Sequence, residues 1–213
     1  MSNNFTSLKI VNVVLTAKLA VPYTSSTYDH DCHSRNVSKN FNLAKIAFVI
    51  KDASAEYFPR KFAALKLCRP EPFSKALFFR SGKIVCVGNR SEDGGREAVR
   101  WFCERVAKAA NITMSIADIS VQNIVATSML KNNRMRIKLT RASCLFSKHA
   151  QYEPELFPGC AFRFGESWKQ VVNAFTSGKI VLTGVKNTEE LRRLAERFLD
   201  LITPKTREIF MTV

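Results

Sequence analysis

The octapeptide SGKIVCVG at Ser81–Gly88 returns as SGKIVLTG at Ser177–Gly184, 96 residues later. An internal repeat constrains the fold more than composition does, because both copies must take up one local structure. Upstream, AEYFPRKFAA (Ala55–Ala64) aligns with AQYEPELFPG (Ala150–Gly159) at an offset of 95. Tyr57 falls on Tyr152, Pro59 on Pro154 and Phe62 on Phe157. Ile10-Val11 aligns with Ile124-Val125 at an offset of 114, so the first copy holds about 18 extra residues. The polar, aperiodic stretch between Lys18 and Phe41 accounts for them as a surface loop near residues 20–40. The two repeats then occupy residues 1–110 and 111–213.

Each repeat has one order of elements. An apolar stretch (KIVNVVL; DISVQNIVATS) is followed by a short helical segment, about Asn42 to Ile50 and Arg141 to Lys148. Strand-like runs come next: FAALKLC, KALFFR and KIVCVG, then CAFRF, QVVNAF and KIVLTG. A longer helix closes each repeat. From Glu92 to Ala110 the residues Ala98, Trp101, Phe102, Val106 and Ala109 share a face; from Glu189 to Ile202 so do Leu191, Leu194, Ala195, Phe198, Leu201 and Ile202. Asn187 is placed to cap the second of these, with Glu190 completing a capping box. The pattern predicts an α+β fold with internal pseudo-twofold symmetry. In KIVCVG, Ile84 and Cys86 point one way and Val85 and Val87 the other. Helices can cover one of these apolar faces; the other needs a partner.

Charge suggests what kind of partner. The chain of 213 residues carries 33 Lys and Arg against 18 Asp and Glu, a net +15. Such an excess favours an anionic surface, nucleic acid or acidic membrane. No apolar run approaches the roughly 18–20 residues that cross a bilayer. The N-terminal residues show no basic segment ahead of an apolar one. A membrane is therefore not expected. The six cysteines form no C-x-x-C pair, which points to reduced thiols in the core. His30, Cys32 and His33 in the loop are too few to predict a metal site, and no cofactor is expected.

QNIVATS (Gln122–Ser128), QYEPELFPG (Gln151–Gly159) and FTSGKIVLTG (Phe175–Gly184) resemble the C-terminal repeat of the TATA-box-binding protein core family. YFPRKFAA, ALFFRSGKIVCVG and the closing helix resemble its N-terminal repeat more loosely. The chain thus looks like a divergent member of that family or a factor related to it. The resemblance implies a saddle: one curved antiparallel sheet with helices on its convex side and DNA against its concave side. Family members bend DNA through the minor groove with inserted apolar side chains.

Carried over residue by residue, the resemblance implies that Phe62 with Phe79, and Phe157 with Phe175, kink the duplex. It places Lys9, Val11, Leu77, Val85 and Val87 of the first repeat in the minor groove, and Asn123, Val125, Asn173, Val181 and Thr183 of the second. The family has Asn and Thr at the centre of both repeats. Here the second keeps Asn123 and Thr183, whereas the first has Lys9 and Val87. Asn12 is the alternative equivalent if the alignment slips. Asn173 and its counterpart Leu77 stand where the family is apolar. Arg60, Lys61, Arg80, Lys83, Arg163, Lys169 and Lys179 are the expected phosphate contacts. Cys68, Pro70 and Phe73 replace basic positions of the family, for which Lys66, Arg69 and Arg80 could compensate. Glu153, Glu155 and Leu156 match the turn that transcription factor IIB grips.

The function implied is a nuclear initiation factor that binds and bends double-stranded promoter DNA with relaxed preference for TATA. Its expected partners are transcription factors IIA- and IIB-like, other promoter-complex subunits, and a second copy in a weak DNA-free homodimer. The rival reading is a scaffold with weak DNA binding of its own. No nucleophile–base pair or clustered carboxylate site points to an enzyme.

Overall fold

A computed structural model describes residues 5–20, 41–50, 54–165 and 167–212. The inserted loop at residues 21–40, with His30, Cys32 and His33, lies outside the described residues. In chain order the elements are β1 (Lys9–Ala20), α1 (Leu43–Ile50), β2 (Ala55–Glu56), β3 (Ala64–Arg69), β4 (Ser74–Phe79), β5 (Lys83–Asn89) and α2 (Glu92–Ala110). Then come β6 (Ser115–Met129), β7 (Met135–Ile137), α3 (Leu139–Leu145), β8 (Ala150–Gln151), β9 (Gly159–Phe164), β10 (Gln170–Phe175) and β11 (Lys179–Val185). The chain closes with α4 (Thr188–Ile202), a short 3-10 turn, α5 (Thr206–Ile209) and β12 (Phe210–Thr212).

The long helices start where their caps dictate. Ser91 accepts the Gly94 N–H at 3.1 Å, and Asn187 accepts the Glu190 N–H at 2.8 Å. Such caps contribute about 0.5–2 kcal/mol each. Glu190 does reach back, but its carboxylate takes the Lys186 N–H and the Asn187 side-chain amide. Helix α2 ends at Asn111, whose φ of 52° is the left-handed stop that asparagine tolerates.

Val13–Gln122 form one compact unit; Met1–Asn12 with Asn123–Val213 form the other. In the first, the antiparallel strands run in the order β2-β3-β4-β5-β1. Val13, Leu15, Leu65, Leu67, Ala76, Phe78, Ile84 and Cys86 are buried against α1 and α2. Helix α2 buries Val99 and Cys103 along with Ala98, Phe102 and Val106, and leaves Trp101 and Ala109 at its edge. Gly95 lets it settle on β1, since a Cβ there would stand 2.2 Å from a Leu15 methyl.

In the second unit the order is β6-β11-β10-β9-β8, with α4 over β11. Leu199, not Leu201, completes the buried stripe of α4. A separate pair, β7 with β12, joins the C-terminal residues to this unit. Cys86, Cys103 and Cys160 are buried free thiols, and burial pushes the latter two up to about 12, so they stay protonated and inert. Cys144 is exposed.

Candidate nucleic-acid interface

In the second unit the register decides which side chains share the open face. Phe175 lies opposite Gly159, Asn173 opposite Ala161 and Val171 opposite Arg163. On the other side Asn173 meets Val181 and Val171 meets Thr183. The alternate residues Val172, Ala174, Ile180 and Leu182 are buried. Val171, Asn173, Phe175, Val181 and Thr183 remain half-exposed among the described residues. Phe157 arrives from the preceding turn and meets Phe175 edge to face, centroids 5.7 Å apart. Gly159 makes room for the pair: a Cβ would stand 2.7 Å from Phe157 and 3.0 Å from Phe175. Phe157, Gly159, Val171, Asn173 and Thr183 line a groove of about 400 Å³ with Gln151, Glu153 and Leu156.

Asn123 and Thr183 form a fixed pair on this face. The Gly184 N–H lies 2.9 Å from Asn123 Oδ1. A backbone N–H can only donate, so it sets the amide orientation and turns Nδ2 toward Thr183 Oγ1 at 3.0 Å. One N–H of Asn123 is left for an acceptor, while the Thr183 hydroxyl lies 3.2 Å from Asn123 Oδ1, to which it donates until it turns toward another acceptor. Gly184 itself has a φ of +86°, and a Cβ there would stand 1.9 Å from the Lys169 carbonyl oxygen. This is the bulge at which the β6–β11 register shifts.

The first unit repeats the wedge and changes its surroundings. Phe62 and Phe79 meet edge to face at 6.2 Å. Leu77, Val85 and Val87 lie half-exposed beside them. The same register puts Lys66 opposite Leu77, and Lys75 between Cys68 and Val87. Lys75 is thus a cation of the open face that the sequence reading passed over; counting back by two from Phe79 would have found it. Its ammonium sits 5.3 Å from the Phe73 ring, which covers Gly88. Lys66 is on the same face but pairs with Glu56 at 2.9 Å, and that contact holds the Glu56 carboxyl below its usual range.

Two expectations from the sequence change. Val13 pairs with Asn89 as Ile124 pairs with Val185, and Leu15 pairs with Cys86 as Ala126 pairs with Leu182. The equivalent residues of β1 and β6 are therefore 111 apart, not 114. Asn12, not Lys9, corresponds to Asn123, and Val14, not Val11, corresponds to Val125. Lys9 and Val11 are exposed and fall opposite Ser120 and Gln122 in the repeat. The first repeat has kept its asparagine and lost only the threonine. Arg69 also does not serve the open face: its guanidinium contacts Glu97 at 3.3 Å and lies 5.2 Å from the Trp101 ring, both on α2.

Arg60, Lys61, Arg80, Lys83, Arg163, Lys169 and Lys179 are all exposed, and none forms an ion pair among the described residues. The arginines of α4 differ: Arg192 and Arg193 are tied to Glu189, and Arg192 also to Glu196. In the turn before β9, Leu156 is 81% exposed; Glu153 accepts from Gln151 at 2.6 Å, and Glu155 points to solvent.

The phenylalanines separate by burial. Phe41, Phe78, Phe102, Phe162 and Phe198 are fully buried, whereas Phe62 and Phe157 stay 50% and 42% exposed. Full burial of such a side chain contributes about 1.5–3 kcal/mol. Each wedge forgoes part of that until something covers it. The edge-to-face contact, worth about 0.5–1.5 kcal/mol, holds each pair in place meanwhile.

The family model described as transcription factor TFIID (or TATA-binding protein, TBP) matches residues 7–109 and 118–204. A TATA-box-binding protein of Archaeoglobus fulgidus is 37% identical over 165 residues, covering 77% of this chain and 87% of that protein. One from Acanthamoeba castellanii is 36% identical over 168 residues, 79% of this chain and 62% of its own length. TATA box-binding protein-like 2 of Homo sapiens is 35% identical over 167 residues, 78% and 47%. The solved Methanococcus jannaschii TBP superposes with a TM-score of 0.70 at 31% identity, over 93% of this chain and 99% of that one. The α+β fold expected from the repeats is found in each unit, and the chain belongs to the family of transcription factor TFIID, or TATA-binding protein.

Proposed function

We propose that this chain is a nuclear initiation factor that binds promoter DNA through the minor groove and bends it, without catalysis. The two repeats, 1–110 and 111–213, each apply one phenylalanine pair to a base step. The observation that carries this reading is the pair of edge-to-face phenylalanine contacts, Phe62–Phe79 and Phe157–Phe175, on strand faces whose apolar side chains stay half-exposed among the described residues. An exposed apolar face flanked by Arg60, Lys61, Arg80, Lys83, Arg163, Lys169 and Lys179, which form no ion pair among the described residues, suits a ligand with a phosphate rim and stacked, prisable bases. Asn123 and Thr183 present donors, which suits the N3 and O2 acceptors of A·T pairs. Val87 cannot donate, so the first repeat reads less and preference for TATA is relaxed. Exposed Leu156 with Glu153 and Glu155 suits a basic, IIB-like partner; IIA-like factors and other promoter subunits belong to the same reading. A weak homodimer would cover the apolar faces when DNA is absent. Nuclear location goes with the eukaryotic relatives.

Fluorescence transfer across an end-labelled duplex tests the wedge. The intact protein shortens the end-to-end distance, and Phe157→Ala with Phe175→Ala removes most of that change. An unaltered bend in the double variant contradicts the assignment. Binding to TATA and scrambled duplexes across a salt series tests the specificity. A ratio above about 100-fold, approaching ordinary specific recognition, contradicts relaxed readout. Absence of binding to either favours the scaffold reading.

A further inference from the structure

Asn173 carries an amide that the other described residues leave unused. It sits half-buried on the open face of β10, two residues from the wedge Phe175, and lines the same groove as Phe157 and Thr183. Its cross-strand neighbours are Ala161 and Val181, neither of which has a polar side-chain atom. Among the described residues nothing hydrogen-bonds its side chain. Its equivalent in the first repeat is Leu77, flanked by Val85 and Lys66. The open face of this unit therefore presents Asn123 and Asn173 in different states. Asn123 is locked by the Gly184 N–H so that only donors remain. Asn173 has no such lock and can turn either its carbonyl or its NH₂ outward.

That difference matters for base chemistry. The minor-groove edge of an A·T pair, in either direction, has acceptors only, whereas a G·C pair adds the guanine N2 amino donor. A leucine facing that amino group would desolvate it and return nothing. An asparagine carbonyl can accept from it. Resting on the minor-groove reading above, we infer that Asn173 is a specificity residue that accepts from guanine N2 and so selects a G·C pair at one position beneath the second repeat. The second repeat then recognises a mixed element: A·T under Asn123 and Thr183, and G·C between them and the wedge. Because Leu77 cannot do the same, the preference also fixes the direction in which the protein sits on the duplex.

The test uses the full chain and a set of A·T-rich duplexes in which each position in turn carries G·C or I·C. Inosine lacks the N2 amino group and otherwise presents an A·T-like minor groove. At one position the intact protein should bind G·C about tenfold tighter than I·C, the low end of what one base contact supplies. Asn173→Leu should reverse that ratio, and Asn173→Ala should bring it to about one. If I·C equals or beats G·C at every position, or the ratio survives Asn173→Leu, the inference is overturned while the minor-groove reading stands. If no duplex is bound or bent, both fall together.

Discussion

Phe62 with Phe79 and Phe157 with Phe175 are nearly interchangeable in geometry, at 6.2 and 5.7 Å, yet the strands beside them are not. Where the first unit has Leu77, Val87, Cys68, Lys66 and Lys75, the second has Asn173, Thr183, Arg163, Ala161 and Val171. The first set is apolar at the reading positions and cationic on the face; the second is polar at the reading positions and cationic at the rim. On the proposed function, wedging needs only an aromatic on an open strand face, which both units present, and reading needs placed donors, which Asn123 and Thr183 of the second unit supply. Phosphate attraction needs charge at the right distance but no direction, so Cys68 standing where the second unit has Arg163 can be offset by Lys75.

The largest effects should come from removing one wedge at a time. Phe157→Ala with Phe175→Ala should abolish most of the bend, because the second unit also holds the reading donors. Phe62→Ala with Phe79→Ala should leave a shallower bend, measurable by the same energy transfer. Equal losses would mean that the reading residues do not help seat the second wedge. Next in size is stability. Both Gly88 and Gly184 have positive φ, which adds about 1–2 kcal/mol of strain to any other residue. Gly88→Ala would meet the Phe73 ring at 3.1 Å, a side chain able to move; Gly184→Ala would meet the Lys169 carbonyl at 1.9 Å, which is backbone. Thermal unfolding should therefore show a clearly lower midpoint for Gly184→Ala, and similar midpoints would break the contrast.

Exchanging the threonine should move about 1–3 kcal/mol of discrimination. Thr183→Val lowers the TATA-to-scrambled affinity ratio, and Val87→Thr raises it. The raised ratio is the sharper result, since Asn12 already stands at the position of Asn123. The smallest effect is on salt. Arg163→Ala should flatten the slope of log affinity against log salt by about one unit, and Cys68→Arg should steepen it by about one. A flat response to both would place these positions away from phosphate.

The repeat, the strand runs and the four phenylalanines were legible because they depend on local pattern. The equivalence of β1 with β6 was misread because an apolar stretch such as IVNVVL offers two alignments with IVATS. The two differ by three residues, an odd number, so one of them turns every side chain to the opposite face. The misaligned version would have put Asn12 at the buried position of Ala126, an unpartnered amide in the core, and that cost was the available signal. Arg69 was credited to the open face for want of the same count: it lies an odd number of residues from Lys66 and so faces the helix. Pairing of Lys66 with Glu56 depends on β2 meeting β3, which no local pattern specifies.

The central claim is that each phenylalanine pair opens its own base step. 2-Aminopurine, substituted in turn for each adenine of a bound A·T-rich duplex, brightens when it is unstacked and reports this directly. The intact protein should brighten two separate steps, one lost with Phe62→Ala and Phe79→Ala and the other with Phe157→Ala and Phe175→Ala. Emission that stays flat at every position while the protein remains bound would contradict the account.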